Sequence, residues 1–195
     1  MELLHKGAEA NLYLQEGALV KERVCKKYRL PELDTKLRRQ RTRREAKNLQ
    51  RAADFGIKVP KIISCDEKNY TLKMEYLSGR LLKDIFDTGQ EIPQLSEEVG
   101  GLLRKLHEKN LVHNDLTTSN LIQTTSGVYI IDFGLAYHTT RLEDKAMDLV
   151  VFKKSIQATH TMYADQIWEN LLAGYKPDSE TIQRVQTILS RVRYK

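Results

Sequence analysis

A short hairpin pattern, flanked on both sides by acidic and amide side chains, occupies the middle of this chain. Two apolar runs separated by a turn make up the hairpin at 121–131. Asp115 and Asn120 precede it, and Asp132 follows it. Because the two ends of a hairpin lie side by side, these three side chains are expected to converge beside one cleft. The chain must therefore fold so that an oxygen-rich cleft borders this hairpin.

Oxygen ligands of this kind suit a hard cation such as Mg²⁺, which completes its shell with water and substrate phosphates. Upstream, Lys21 ends the third predicted strand. Glu45 lies in one i, i+4 column with Leu37 and Leu49, on the side of a helix that faces the rest of the fold. A lysine–glutamate pair opposite these carboxylates can hold a nucleotide triphosphate, because the lysine contacts phosphates that the metal bridges.

The pattern of apolar residues changes sharply near residue 75. Before it, short apolar runs punctuated by glycine predict strands, with one long helix at 33–55. After it, helical periodicity dominates, most clearly at 96–109, where Ser96 is expected to cap the helix. We therefore predict an α+β fold with a β-rich N-terminal lobe at 1–75 and a helical C-terminal lobe at 76–190. A basic tail is predicted at 191–195.

Composition excludes several classes of protein. The chain has 195 residues, 41% of them hydrophobic, which is enough for one domain or two small lobes. No apolar run approaches the roughly 20 residues of a membrane span, and the start lacks the order of a signal peptide. The two cysteines form neither a CxxC nor a metal-binding spacing. These features predict a cytoplasmic protein with reduced thiols and no membrane partner.

Positive charge is concentrated in one part of the chain. The net charge is +6, and residues 21–44 alone hold eleven Lys and Arg. Such a block attracts phosphate polymers or acidic proteins. The alternative is a solvated helix face with no particular partner.

Taken together, these pieces resemble the protein-kinase superfamily. They occur in the expected order: Lys21 on a strand, Glu45 on the next helix, an adenine-binding hinge, HxDLxxxN at 113–120 and DFG at 132–134. The resemblance implies that Asp115 orients or deprotonates the acceptor, either a hydroxyl or a water. It implies that Asn120 and Asp132 bind Mg²⁺, and that Lys21, held by Glu45, grips the phosphates of ATP. The hinge would consist of Met74, Glu75, Tyr76 and Leu77. The loop that covers the phosphates would consist of Lys6, Gly7, Ala8, Glu9 and Ala10.

Two departures from ordinary kinases narrow the family. Only the segment 135–141 separates DFG from the next predicted helix, so a long activation segment and an APE element are missing. The chain also ends before the usual peptide-docking helices. What remains is similar to the small atypical kinase of the KEOPS complex, a relative of the Rio kinases, and is expected to be archaeal. The discriminating stretches are KYRLPELD at 27–34, TTSN at 117–120 and EDKAMDL at 143–149.

That resemblance implies an ATP-dependent serine/threonine-type kinase or ATPase that supports threonylcarbamoyl-adenosine modification of tRNA. Its partners would be the tRNA-modifying subunit, other KEOPS subunits and, through them, tRNA. Asn114 stands where the family usually has Gly, and Thr117 where serine/threonine kinases commonly place a Lys. Both changes favour a slow site whose regulation is left to partners. The basic residues expected to contact a partner or RNA are Lys26, Lys27, Arg29, Arg191, Arg193 and Lys195.

Two other functions are compatible with the sequence. One is a catalytically weak binding module, in which the kinase fold clamps a partner and nucleotide only tunes its shape. The other is a small-molecule kinase of the aminoglycoside type, which shares HxDxxxxN. The intact DFG and the lack of a large substrate-binding helical insert argue against the second.

Overall fold

A five-stranded antiparallel sheet forms the first part of the computed structural model, which describes residues 1–192. Its strand order is β1-β2-β3-β5-β4. The strands are β1 (Glu2–Lys6), β2 (Ala10–Gln15), β3 (Ala18–Arg23), β4 (Ile62–Asp66) and β5 (Thr71–Glu75). Glu16 and Gly17 both adopt positive φ, which gives the tight two-residue turn between β2 and β3 the twist that a hairpin requires.

A single long helix, α1 (Pro31–Asp54), follows β3. Proline at its start fits because the first helical N–H groups have no partner within the helix. The buried face of α1 is unusually polar and consists of Asp34, Thr42, Glu45, Asn48, Leu49 and Ala52. Buried polar side chains need partners. The position of α1 is therefore set by specific polar contacts as well as by apolar packing.

The remainder is mostly helical. Its helices are α2 (Leu82–Asp87), α3 (Ile92–Glu108), α4 (Leu142–Thr159), α5 (Ala164–Tyr175) and α6 (Ser179–Val192). A three-stranded sheet, in the order β6-β8-β9, comprises β6 (Arg80–Leu81), β8 (Leu121–Thr124) and β9 (Gly127–Ile130). A second, two-stranded sheet pairs β7 (Leu111–Val112) with β10 (Tyr137–His138).

Close helix packing organises this helical part. Gly100 on α3 and Gly174 on α5 lie so near the opposite helix that a Cβ on either would collide with backbone atoms of Leu171 or Glu97. Glycine at these two positions therefore lets α3 and α5 touch through their backbones. Within residues 1–192, no helix is both long and apolar enough to cross a membrane.

Most predicted elements are present. The hairpin predicted at 121–131 is confirmed as β8–β9, and the long helix predicted at 33–55 spans 31–54. The role predicted for Ser96 is wrong: α3 begins at Ile92 with Pro93 in its first turn, and Ser96 is fully buried within the helix. The sheet and α1 end before Tyr76, as the division at 75 anticipates, although the lobe boundaries stay a prediction. The two-residue strands were not predicted, because so short a run carries no periodicity.

Candidate functional site

Lys21 on β3 lies at the centre of an ionic cluster. Its Nζ is 2.7 Å from Oε1 of Glu45 on α1 and 2.9 Å from Oδ1 of Asp132. Burial alone would lower the pKa of Lys21, but the two carboxylates outweigh it and raise that pKa. Burial likewise opposes ionisation of Asp132, yet Lys21 and the N–H of Gly134 hold its pKa below the ordinary value. Both groups are therefore charged. Phosphate binding by Lys21 stays a prediction.

Arg23 completes this cluster and was missed by sequence reasoning. Its Nη2 lies 2.5 Å from Oε2 of Glu45, and the residue is 7% exposed. Lys21 and Arg23 are two positions apart on one strand, so their side chains leave the same face. That alternation was the available signal. Each oxygen of Glu45 thus has its own cation, and the glutamate is held even when Lys21 turns toward a phosphate.

We expect Arg23→Met to weaken nucleotide binding about tenfold. Without Arg23, Glu45 has Lys21 as its remaining counter-ion and retains that lysine against the pull of the phosphates. The measurement is titration of a fluorescent ATP analogue into variants whose folding is checked by circular dichroism. Arg23→Lys should recover most of the affinity. Arg39→Met, which removes a 65% exposed side chain from α1, is the matched control. Equal affinities in Arg23→Met and the control would contradict this role.

The loop that carries Asp115 is held from below by Asp148 on α4. The two oxygens of Asp148 accept the backbone N–H groups of His113 and Asn114, each at 2.6 Å. One of them also lies 3.1 Å from Nε2 of His107, whose Nδ1 is 2.9 Å from the hydroxyl of Tyr175. This buried chain of polar contacts connects α5, α3 and α4 to the loop. The kinase resemblance implies such a supporting role for Asp148, and these contacts agree with it.

Asn114 is explained by its backbone. Its φ of 64° lies in the left-handed region, where glycine is the easiest residue and asparagine one of the few tolerated alternatives. The usual glycine and the asparagine of this chain therefore satisfy the same turn. This turn directs the backbone N–H groups of His113 and Asn114 toward the carboxylate of Asp148.

His113 packs and hydrogen-bonds inside this loop, which is the structural role that the kinase resemblance implies. Its Nε2 lies 3.0 Å from the carbonyl oxygen of Ile131, and its ring packs edge-on against Phe133 at 4.9 Å between centroids. The N–H of Ile131 also donates to the carbonyl of Asn120 at 3.0 Å. The HxDLxxxN loop and the DFG segment are thus joined on both sides of the hairpin.

Asp115 and Asn120 lie together at the open side of this junction. Nδ2 of Asn120 donates to the carbonyl of Asp115 at 2.8 Å, which leaves its Oδ1 as the atom that can coordinate a cation. Burial raises the pKa of Asp115; His113 partly opposes this shift, and the Asp132 carboxylate adds to it. The amide oxygen of Asn120 and the carboxylate of Asp132 are hard donors of the kind that Mg²⁺ prefers. Mg²⁺ binding by these two residues stays a prediction.

The predicted phosphate loop is a tight turn between β1 and β2. The N–H of Gly7 donates to the carbonyl of Ala10 at 3.0 Å, and a Cβ on Gly7 would lie 2.7 Å from that oxygen, so glycine is required here. The negative charge of Glu9, within this loop, is paired with a cation. Its Oε2 lies 2.6 Å from Arg41 on α1, and Lys26 donates to the carbonyl of Ala8.

The predicted hinge lies where β5 leaves the sheet. Met74 is buried, Glu75 and Leu77 are half-buried, and Tyr76 is 43% exposed. The N–H of Glu75 donates to the carbonyl oxygen of Lys61 at 2.8 Å, which connects the end of β5 to the segment before β4. Adenine binding by these four residues stays a prediction.

The basic residues predicted to contact a partner differ in their surroundings. Lys26 and Arg29 lie near Glu9, whereas Lys27 is exposed. Arg191 belongs to the last turn of α6, where its side chain is 63% exposed and lies 3.4 Å from Glu143. The basic tail predicted at 191–195 therefore overlaps the end of α6. Arg193 and Lys195 lie outside the described residues.

Two further residues, Asn48 and His160, contact segments of the site and were not predicted to do so. Asn48 on α1 donates to the carbonyl of Ala136 at 2.6 Å, directly after DFG. His160 lies 2.9 Å from Oγ1 of Thr118 in the catalytic loop and 2.8 Å from Asp87. Sequence offers no signal for either pairing, because the partners are far apart in the chain.

Comparison with known proteins agrees with this geometry. A family model described as the RIO domain matches residues 16–169. Among solved structures, the Rio2 kinase–ADP/Mg²⁺–phosphoaspartate complex from Chaetomium thermophilum superposes with a TM-score of 0.66. It is 12% identical, and the match covers 97% of this chain and 70% of that one. The predicted α+β, kinase-like fold is therefore confirmed.

Curated relatives are considerably more similar in sequence. KEOPS complex subunit Bud32 from Pyrococcus abyssi is 39% identical, over 100% of this chain and 97% of that protein. A probable bifunctional tRNA threonylcarbamoyladenosine biosynthesis protein from Methanocaldococcus jannaschii is 44% identical over 89% of this chain. One of the same description from Methanosarcina mazei is 42% identical over 99%. The chain spans 32% and 36% of the length of these two bifunctional proteins. This chain therefore belongs to the RIO-domain family, in the group of KEOPS complex subunit Bud32.

Proposed function

We propose that this chain is a Mg-ATP-dependent atypical serine/threonine kinase and ATPase of the KEOPS complex, acting in threonylcarbamoyladenosine modification of tRNA. The observation that carries this proposal is the cluster of Lys21, Glu45 and Asp132. It joins the sheet, α1 and the DFG segment in the arrangement that binds the phosphates of ATP through a lysine and a metal. The names of the relatives supply the assembly and the process.

Each residue of the site has a distinct task in this proposal. Lys21 binds the phosphates and is oriented by Glu45, while Asn120 and Asp132 would hold Mg²⁺, which neutralises charge that develops on the transferred phosphoryl group. Asp115 orients the acceptor oxygen and takes up its proton. The raised pKa of Asp115 suits a group that must accept a proton. The adenine would lie against the hinge at 74–77, with the loop at 6–10 over the phosphates.

The segment after DFG supports a site that is always assembled. Within a few residues of Gly134 the chain enters β10, which pairs with β7 at the start of the catalytic loop. Asn48 fixes the same segment to α1 through Ala136. This leaves no room for a long activation segment that could be switched by phosphorylation. We place regulation in partner subunits and the protein in the cytoplasm.

The defining experiment is phosphate release from ATP by the isolated chain, alone and with the tRNA-modifying subunit and tRNA. We expect slow Mg²⁺-dependent release that the partner and tRNA alter. A chain that binds ATP yet shows no turnover under any of these conditions would favour the alternative, a binding module in which nucleotide only tunes the shape of the clamp.

Asp115→Asn should separate chemistry from binding. We expect phosphate release to fall about 100-fold or more, because the amide cannot take up a proton, while ATP and Mg²⁺ affinity change little. In the unaltered protein, the rate should fall as pH drops through the pKa of Asp115. Because burial raises that pKa, the midpoint should lie above the ordinary aspartate range. Turnover and nucleotide titration against pH provide the test. Loss of binding in parallel with turnover would assign Asp115 to the metal site instead.

A further inference from the structure

Three cations from two separate segments surround the carboxylate of Glu9. Arg41 on α1 lies 2.6 Å from Oε2, while Lys26 and Arg29, from the segment between β3 and α1, each lie 3.8 Å from Oε1. Lys26 also donates to the carbonyl of Ala8, so the contacts reach the backbone of the phosphate loop. We call these four side chains, Glu9, Lys26, Arg29 and Arg41, the Glu9 clasp.

Positive charge exceeds negative charge at the clasp. Arg29 also pairs with Asp34, which is 1% exposed and accepts from Arg38 at 2.7 Å. Burial opposes ionisation of Asp34, but the hydrogen bonds from Arg38 and the Lys26 N–H hold its pKa below the ordinary value. Four cations therefore face two carboxylates. The geometry is that of an anion site in which the chain's own glutamate takes the place of the anion.

The exposed surroundings of the clasp favour a nucleic acid as that anion. Tyr28 is 77% exposed, and the guanidinium of Arg29 lies 5.3 Å from the centroid of its ring. Lys27 beside it is exposed as well. Cations that contact phosphates, next to an aromatic ring on which a base can stack, are what single-stranded nucleic acids bind. A nucleic acid would use both the charges and the ring, so we take it rather than an acidic protein segment as the ligand.

We propose that the Glu9 clasp is a phosphate-binding site for single-stranded RNA, in which an RNA phosphate displaces the carboxylate of Glu9 and releases the loop at 6–10. The side chain of Glu9 is 49% exposed and two of its three cations lie 3.8 Å away, so these ion pairs are weak and the clasp can open. Arginine binds phosphate through paired hydrogen bonds, and a phosphate in a polymer also gains from counter-ion release. RNA therefore has the means to compete with one tethered carboxylate.

Opening of the clasp should change the rate at which ADP dissociates. This part of the proposal alone rests on the function proposed above. A loop that covers the phosphates retards release of ADP, and a released loop does not. RNA bound at the clasp should thus accelerate ADP dissociation. By thermodynamic linkage, RNA and ADP should weaken each other's binding by the same factor.

The first test measures RNA binding without nucleotide, so it stands whether or not the chain turns over ATP. Fluorescence anisotropy with a labelled single-stranded oligouridylate should show Glu9→Gln binding about two- to fivefold more tightly than the unaltered protein, because the competing carboxylate is gone. Glu16→Gln is the matched control: it removes the same charge from a 79% exposed residue of the same sheet. Arg41→Gln, alone or with Glu9→Gln, should weaken RNA binding.

Two outcomes would overturn the RNA assignment. One is equal affinity of Glu9→Gln and Glu16→Gln for the oligouridylate. The other is tighter binding of a polyglutamate of matched charge than of RNA by Glu9→Gln, which would assign the clasp to an acidic protein segment.

The second test follows dissociation of a fluorescent ADP analogue. RNA should accelerate it about two- to fivefold in the unaltered protein and leave it unchanged in Glu9→Gln, whose loop is already released. Equal acceleration in both proteins would overturn the coupling through Glu9. Failure of the chain to bind the ADP analogue would count against the proposed function and leave the RNA result standing.

Discussion

Asp132→Ala is expected to remove nearly all phosphate release from ATP while the protein remains folded. Asp132 supplies the carboxylate of the proposed Mg²⁺ site and lies 2.9 Å from Lys21. Metal stabilisation of developing charge is worth several kcal/mol, so its loss should slow turnover by about 100- to 1,000-fold. Folding should survive because the side chain is 43% exposed and Lys21 keeps Glu45 as a partner. Steady-state phosphate release with varied Mg²⁺ provides the measurement.

The effect of Asp132→Ala on turnover is compared with that of a control variant, Asp54→Ala. Asp54→Ala removes an exposed carboxylate at the end of α1 and should leave both turnover and Mg²⁺ dependence unchanged. In Asp132→Ala, the remaining turnover should lose its dependence on Mg²⁺ in the range that saturates the unaltered protein. Unchanged turnover in a folded Asp132→Ala would remove the basis for the proposed chemistry.

The largest expected loss of stability follows from Asp148→Ala. Asp148 is 1% exposed and accepts three donors: the N–H groups of His113 and Asn114, and Nε2 of His107. Its removal leaves polar groups buried without an acceptor, at about 1–3 kcal/mol each. We expect the free energy of unfolding to fall by about 3 kcal/mol or more. Urea unfolding monitored by circular dichroism gives this value.

The change at Asp148 should also affect the catalytic loop. Without its carboxylate, the left-handed turn at Asn114 loses the contacts that hold it, so turnover should fall even under conditions where the variant is folded. Gln157→Ala, at an exposed position of the same helix, should change the free energy of unfolding by less than about 0.5 kcal/mol. A similarly small change in Asp148→Ala would show that the loop holds its shape by other means.

Much of the candidate site could be predicted because its residues are set by local patterns. The hairpin at 121–131 places Asn120 and Asp132 at adjacent ends, and this follows from turn and strand signals alone. Glu45 was assigned to the inner face of α1 from helical spacing, and it is 1% exposed. Where spacing within one element decides orientation, sequence was sufficient.

Predictions were weaker wherever two distant segments decide the outcome. Ser96 was expected to cap a helix because serine commonly does so, but Pro93 starts α3 earlier and buries Ser96. Glu9 lies in the predicted phosphate loop, where its charge would repel a triphosphate unless a cation lay between them. Sequence did not identify Arg41, 32 positions away, as that cation. At Ser96 a competing signal three residues away overrode the local preference, whereas at Glu9 tertiary packing supplied the partner.

The sequence by itself determined the order of the catalytic parts, the face of each element that carries them, the α+β architecture and the kinase-like family. The architecture and the orientations follow from period, spacing and turn chemistry, which act within a few residues. The family follows from the resemblance of the ordered motifs to those of kinases. Only the tertiary structure decided two sets of partners: Arg23 beside Lys21 on Glu45, and the three cations around Glu9. Periodicity tells which way a side chain points. Which charge it meets depends on how distant elements pack, and only the folded chain brings them together.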